Sequence, residues 1–347
     1  MLARNNIIEY NIISSFYNKE RCVFMVQNVF LIFVGFVLLI KGADFLVNGS
    51  VKIAKRLHIP EIIIGLTIVS IGTSMPELIV SVTSALEGHS DMALGNVIGS
   101  NICNILLILG LSAVVRPVVF KKETKFIEIP IALAISFVLL LLGNNSGGIE
   151  RIDGIILVIL FALFIAYTIF MGIRESKEEI EKEIHEEEES KEMIEPERFG
   201  VLKAIALIAG GIVALKYGGD LVVNAACEVA RVLGISEKVI SLTIIAIGTS
   251  LPELVTSVMA AFKGESDIAI GNIIGSNIFN ILLILGVGAI ITPMTYSLSY
   301  NIDMAILIVA TVLLALYPFT GKKDTMTRTN GAICLVLYAG YMVTLFI

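Results

Sequence analysis

The sequence predicts an all-α polytopic membrane protein with ten transmembrane helices, arranged as two inverted-topology five-helix repeats. Three observations predict it. The 347-residue chain is 56% apolar and 16% charged, with mean hydropathy +0.90, whereas soluble domains run at roughly 45–50% and about 25%. The apolar residues fall in ten continuous runs long enough to cross a bilayer, which takes about 20 helical residues. Finally, Asp44 through Pro117 aligns without a gap to Asp220 through Pro293, and a repeat of that length is a duplication.

The expected spans are 28–47, 61–87, 92–115, 126–143, 152–172, 199–227, 236–262, 268–291, 301–318 and 329–346. They are continuous runs, unlike the alternating strands of about ten residues that build an outer-membrane barrel. Lipid then leaves only the helix, which satisfies its own backbone. Residues 1–27 are polar and irregular, carry no signal-peptide cleavage pattern, and read as an N-terminal extension, disordered or non-native. Met25, just before the first span, is a candidate natural start. The first five-helix repeat is 28–172, the second 199–347, and an acidic loop, 173–198, joins them.

Span one ends in Lys41-Gly42-Ala43-Asp44 and span six carries Lys216-Tyr217-Gly218-Gly219-Asp220. Both pairs have the i,i+3 or i,i+4 spacing of a local ion pair near a helix end. Equivalent helices of the two repeats are five spans apart. An odd number makes the halves enter the membrane from opposite sides, the plan of many secondary transporters. The Lys and Arg residues test this: with both termini outside, seventeen lie in inner connections and six in outer segments. By the positive-inside rule the termini are extracellular and the 173–198 loop cytoplasmic, in a plasma membrane. Twelve acids between Glu175 and Glu197 account for most of the net charge of −6. Pairs such as Glu178–Lys182 allow a solvated helix there.

The densest chemistry is duplicated as well. Ile71-Gly72-Thr73-Ser74-Met75-Pro76-Glu77-Leu78 returns as Ile247-Gly248-Thr249-Ser250-Leu251-Pro252-Glu253-Leu254, 176 residues on. A charged side chain at mid-bilayer costs on the order of 2.5–3.5 kcal/mol on insertion scales and marks function by default. Ser70, Thr73, Ser74 and Glu77 share one helical face, as do Ala246, Thr249, Ser250 and Glu253. Pro76 and Pro252 lack an N–H and crowd the carbonyls of Gly72 and Gly248, so a kink should free carbonyls around Ser70 to Gly72. Such carbonyls persist in lipid only where they line a cavity or bind something.

Spans three and eight add Gly95-Asn96-Val97-Ile98-Gly99-Ser100-Asn101-Ile102-Cys103-Asn104 and Gly271-Asn272-Ile273-Ile274-Gly275-Ser276-Asn277-Ile278-Phe279-Asn280. Their glycines suit close helix approach. Ser100 with Asn104, and Ser276 with Asn280, share a face, where interhelical hydrogen bonding is the structural alternative to a ligand role. The donors are oxygens, and hard cations such as calcium take six to eight of them. Two glutamates neutralise one divalent ion. Emptied, they would face each other in a dry bundle at several kcal/mol per ion, so obligatory exchange of one cation for another follows.

The duplicated Gly-Thr-Ser-x-Pro-Glu and Gly-Asn-x-Ile-Gly-Ser-Asn motifs resemble the two alpha-repeats of the calcium/cation antiporter superfamily, in its sodium/calcium exchanger family. The resemblance implies a sodium-driven calcium exchanger of ten helices with four clustered cation subsites. Its implied ligands are Ser70 and Ala246 through main-chain oxygens, with Thr73, Ser74, Glu77, Ser100, Asn104, Thr249, Ser250, Glu253, Ser276 and Asn280. It implies too that spans one and six slide together across the other eight.

Potassium-transporting relatives carry an acid where Asn280 stands, so two formal charges weigh against potassium co-transport. A calcium/proton antiporter stays open as the alternative, since protons also neutralise a glutamate pair. A passive cation channel fits the ligands but less well the duplication. The chain is not expected to be an enzyme: His58, His89 and His185 lie between spans, leaving Ser74 and Ser250 without a base at depth. Cys22, Cys103, Cys227 and Cys334 show no paired spacing. The expected partners are calcium and sodium ions and the lipid bilayer, with no cofactor, no nucleic acid and no demand for an oligomer.

Overall fold

The computed structural model describes residues 2–87, 90–145, 147–187, 198–234, 246–320 and 323–345. It is almost wholly helical. Helix α1 is Leu2–Leu57 and begins ahead of the span expected at 28–47. The second span is broken into α2, Glu61–Thr73, and α3, Met75–Leu86. Helix α4 starts at Ser90–Ile102, widens to π-helix over Cys103–Leu109 and continues through Gly110–Val115. Helix α5 is Thr124–Asn145, with π-helical Thr124–Glu128 at its start. Helix α6, Arg151–Glu187, carries the fifth span well into the acidic loop, as a solvated helix would; residues 188–197 lie outside the described residues.

In the second half, α7 is Arg198–Val232, α8 is the short Ala246–Gly248 and α9 is Leu251–Lys263. The first part of the span expected at 236–262 falls outside the described residues. Helix α10 is Ser266–Phe279, running on through π-helical Asn280–Ile284 and Leu285–Ile291. Helices α11, Tyr300–Leu316, and α12, Arg328–Thr344, complete the chain. Among the described residues seven helices are long and apolar enough to span a membrane, eight with the bent α2–α3 pair counted as one. Helix α12, at 17 residues, is about 26 Å long.

Helices α4 and α10 form the centre, with 78% and 83% of their apolar stretches buried against 17–39% in the other unbroken spans. Phe33, Leu141, Leu163 and Phe170, on peripheral helices, are exposed, as lipid-facing residues are. Helices α1 and α7 pack antiparallel along their length. Gly35 meets Gly218 and Gly42 meets Gly211 so closely that a methyl at Gly42 would lie 2.9 Å from the Gly211 carbonyl oxygen.

The halves exchange contacts reciprocally. Strand β1, Val118–Val119, pairs with β4, Thr325–Met326, while β2, Gly148–Ile149, pairs with β3, Met294–Thr295. Strand β3 occupies the repeat position of β1, so each ladder joins one half to the other, and α5 separates the two ladders. A contact pattern in which i meets j and j meets i is that of a two-fold axis.

Candidate cation site

Two helix breaks build the site. Ser74, at φ −85° and ψ 10°, interrupts the second span, and α2 and α3 meet there at 50°. Ser250 repeats the break at φ −88° and ψ 8°. Each proline follows within the first helical turn, where its missing N–H is harmless. Glu77 and Glu253 stand in those same first turns, where a helix N-terminus favours negative charge.

Both carboxylates are buried, at 1% exposure. Ser250 Oγ donates to Glu77 Oε1 at 3.1 Å, and Ser74 Oγ donates to Glu253 Oε1 at 2.7 Å. Each half's serine thus serves the other half's glutamate. Ser74 Oγ also lies 2.9 Å from Ser276 Oγ, and Ser250 Oγ 3.4 Å from Ser100 Oγ. Eight of the expected residues, Ser74, Glu77, Ser100, Asn104, Ser250, Glu253, Ser276 and Asn280, are therefore on facing helices of one buried layer.

Asn101 and Asn277, absent from the expected set, orient the asparagines that are in it. Asn104 Nδ2 donates to Asn277 Oδ1 at 2.9 Å and Asn280 Nδ2 to Asn101 Oδ1 at 3.0 Å. Asn101 and Asn277 in turn donate to each other's backbone carbonyl at 3.2 and 3.3 Å. With both amide nitrogens committed, the Oδ1 atoms of Asn104 and Asn280 are left without a hydrogen-bond partner. The π-helical segments of α4 and α10 begin at Cys103, one residue before Asn104, and at Asn280, and π turns are frequent at functional sites. The signal for Asn101 and Asn277 was their place in the duplicated motif, three residues before the expected ligands.

Among the described residues, nine buried side-chain oxygens have no hydrogen-bond partner, and five of them are here: Glu77 Oε2, Glu253 Oε2, Asn104 Oδ1, Asn280 Oδ1 and Thr249 Oγ1. Leaving a buried acceptor unpaired costs about 1–3 kcal/mol, and more for a charged group. Five oxygens without partners in one layer, two from carboxylates, are a ready donor set for a hard cation.

Some expectations need correcting. The Ser70 carbonyl, expected to be freed, accepts from Ser74 N at 3.0 Å, because Pro76 removes the donor to Gly72 alone. In the second half Ser250 N turns instead to Ile247 O at 3.2 Å, one residue on from Ala246. Thr73 is buried with its hydroxyl donating to Asn272 Oδ1 at 3.0 Å. Thr249 borders two cavities, one of about 500 Å³ that reaches Ser100 and Asp303 and one of about 200 Å³ beside Lys216 and Asp220. The local ion pair expected at Asp220 forms with Lys216 at 3.3 Å. That expected between Lys41 and Asp44 gives way to a bond across elements: Asp44 and Asn48 hold Lys263 of α9 at 2.5 and 2.7 Å.

The family model described as sodium/calcium exchanger protein matches residues 27–170 and 203–347, nearly the whole chain in two blocks. The chain belongs to the sodium/calcium exchanger family. Among relatives of this family member, the inner membrane protein YrbG of Escherichia coli is 39% identical over 312 residues, covering 87% of this chain and 94% of that protein. The sodium/calcium exchanger MaX1 of Methanosarcina acetivorans is 31% identical over 92% of this chain and 98% of its own length. The solved structure of the sodium-calcium exchanger NCX_Mj, soaked with sodium and strontium, superposes with a TM-score of 0.79 at 32% identity, over 92% of this chain and 98% of that one.

Proposed function

We propose that this chain is a sodium-driven calcium antiporter that works by alternating access at a site built on Glu77 and Glu253. The observation that carries the reading is the reciprocal pair of carboxylates, each held through Oε1 by the other half's serine and each left with an unpartnered Oε2. Asn104, Asn280 and Thr249 add neutral oxygens; Thr73, Ser74, Ser100, Ser250 and Ser276 complete the side-chain set, with Ser70 and Ala246 as main-chain donors. Two carboxylates balance one calcium, and neutral oxygens suit sodium. A site emptied of both keeps two like charges in a dry layer, which opposes reorientation without cargo and couples the two ions.

The inverted arrangement of ten spans follows from the odd spacing of equivalent helices. The Lys and Arg bias then puts both termini outside, so the cavity bordered by Leu345 and Thr249 opens outward. Helices α1 and α7, joined backbone to backbone, are the natural moving body.

The test is calcium-45 uptake into proteoliposomes loaded with sodium, potassium or choline, or with choline at an outward proton gradient. Sodium-dependent uptake is expected. Uptake driven by protons would make the chain a calcium/proton antiporter, and uptake without any counter-gradient would make it a channel. Stimulation by added potassium would show a third transported ion despite Asn280.

A further inference from the structure

The two repeats carry opposite charges at one pair of matching positions. Lys263, in the last turn of α9, reaches across to α1, where its Nζ lies 2.5 Å from Asp44 Oδ1 and 2.7 Å from Asn48 Oδ1. It also donates to the Asp44 carbonyl oxygen at 3.4 Å. Beside these contacts the two helices are packed shut: Ala43 and Val47 of α1 are fully buried in a cluster that includes Leu251 of α9, with Val255 packed against it. The duplication places the same three positions on the opposite face. There Asp44 and Asn48 become Asp220 and Asn224 of α7, and Lys263 becomes Glu87 at the end of α3. Two of the three residues are kept and the third is reversed in sign.

Helix stability does not account for that reversal. A carboxylate at a helix C-terminus opposes the helix dipole, which a lysine there complements. The face that carries Glu87 also stands open. A cavity of about 200 Å³ is lined by Ile79 and Val80 of α3 and by Gly219, Asp220 and Asn224 of α7. Val80 is 37% exposed, whereas its repeat equivalent in α9, Thr256, is fully buried. Asp220 is paired within its own helix to Lys216 at 3.3 Å, and at the position matching Lys216 helix α1 carries Ile40. Lys216 lies one turn before Asp220 and Asn224 one turn after it, so that lysine does not take the bridging place that Lys263 fills between Asp44 and Asn48.

We propose that the carrier is latched on one face only. Lys263 holds α1 against α9, while closing α7 onto α3 brings Glu87 toward Asp220 and Asn224, setting two carboxylates where the first face has an ion pair. Attraction between opposite charges favours the one closure and repulsion between like charges disfavours the other. The resting protein is therefore biased toward the form whose α3–α7 face is open. On the exchanger reading, on which the transport role of the latch rests, this is the outward-facing form. Apparent affinity weakens in proportion as the binding-competent form becomes rare, so the latch makes the inner face the weaker side for calcium although the buried layer itself is nearly symmetric.

Spin-label distances across both faces test the bias without transport. In the purified protein Glu87→Lys should build the missing latch. The share of molecules with a short α3–α7 distance should rise about threefold, the scale of a modest ion pair, and the share with a long α1–α9 distance should rise with it. Glu87 is exposed and a lysine suits a helix end, so E87K is expected to fold and to elute as a single species. Adding D220N to E87K removes the new partner and should return both distributions toward wild type. E87Q, which ends the repulsion without adding attraction, should fall between wild type and E87K. Distances unchanged in E87K, or a shift that persists in full with D220N, overturn the latch. In proteoliposomes E87K should raise the half-saturating calcium concentration on the outer face and lower it on the inner face, several-fold each. A rise on the outer face alone would reveal local repulsion of the ion and overturn the bias. Absence of sodium-driven exchange in the wild type would instead defeat the exchanger reading and leave the distances to decide the latch.

Discussion

Thr73 and Thr249 occupy the same place in the two repeats, one residue before the serine that breaks each helix. Thr73 is fully buried, its hydroxyl given to Asn272. Thr249 has no partner for its hydroxyl and faces two cavities. Their neighbours follow suit. A methyl at Gly275 would strike Leu66 O at 2.7 Å, while one at Gly99 would meet nothing within 4 Å. Between these two regions the serine–glutamate and asparagine contacts are nearly interchangeable. The duplicated chain is thus symmetric in its buried glutamate layer and asymmetric at the cavities beside it. On the antiporter reading proposed above, the two halves would trade those asymmetric conformations as the carrier changes sides, and one structure would carry the outline of both end states.

The symmetric layer is broken most severely at its charges. Glu77→Gln and Glu253→Gln should each reduce calcium exchange more than about 100-fold, since each removes half of the charge that balances a divalent ion, while the protein still folds and elutes as a single species. Wild-type exchange in either variant would remove that glutamate from the site. The asymmetric pair should separate the halves more gently. Thr249→Ala should lower sodium sensitivity from the outer face about tenfold, the loss of one charge-assisted ligand. Thr73→Ala should weaken sodium dependence less and cost about 1 kcal/mol of stability through its lost bond to Asn272. Sodium activation curves that match wild type in both would end the ligand role of this pair.

Smaller still is the effect of the tie between the packed α1–α7 pair and the core. Lys263→Ala frees Asp44 and Asn48 of α1 from α9, and a part-buried ion pair of this kind contributes about 1 kcal/mol or less. A several-fold shift of population toward the inward-open form is expected, read as spin-label distances between α1 and α9. Lys216→Ala, which removes a pair internal to α7, should leave those distances alone; equal shifts in both would dismiss the tie.

Most of the fold was legible because its signals are local or repeated. Hydropathy marks spans one at a time, and sixteen identities of twenty between Asp91–Gly110 and Asp267–Gly286 announce the duplication. Pro76 and Pro252 marked the breaks because proline's missing N–H acts at a fixed distance along the chain. The partner of Asp44 was not legible. A lysine three residues away competes in sequence with one 219 residues away, and only packing decides between them. Asn101 and Asn277 escaped for the opposite reason: polar residues are ordinary glue between helices, and their service as supports for Asn104 and Asn280 shows only when donors and acceptors are counted atom by atom.

The glycine seam between α1 and α7 should leave a mark on the mutational record. Gly35, Gly42, Gly211 and Gly218 lie on helices whose outer faces touch lipid and tolerate exchange, yet an alanine at any of them would meet opposing backbone within 3 Å. Gly200, Gly210 and Gly340, with nothing within 4 Å of an added methyl, carry no such burden. In a saturation library selected for growth, the seam would appear as intolerant positions seven codons apart, three in α1, where a methyl at Gly49 would lie 2.9 Å from the Ala204 carbonyl oxygen, and two in α7, a barcode set in otherwise permissive sequence.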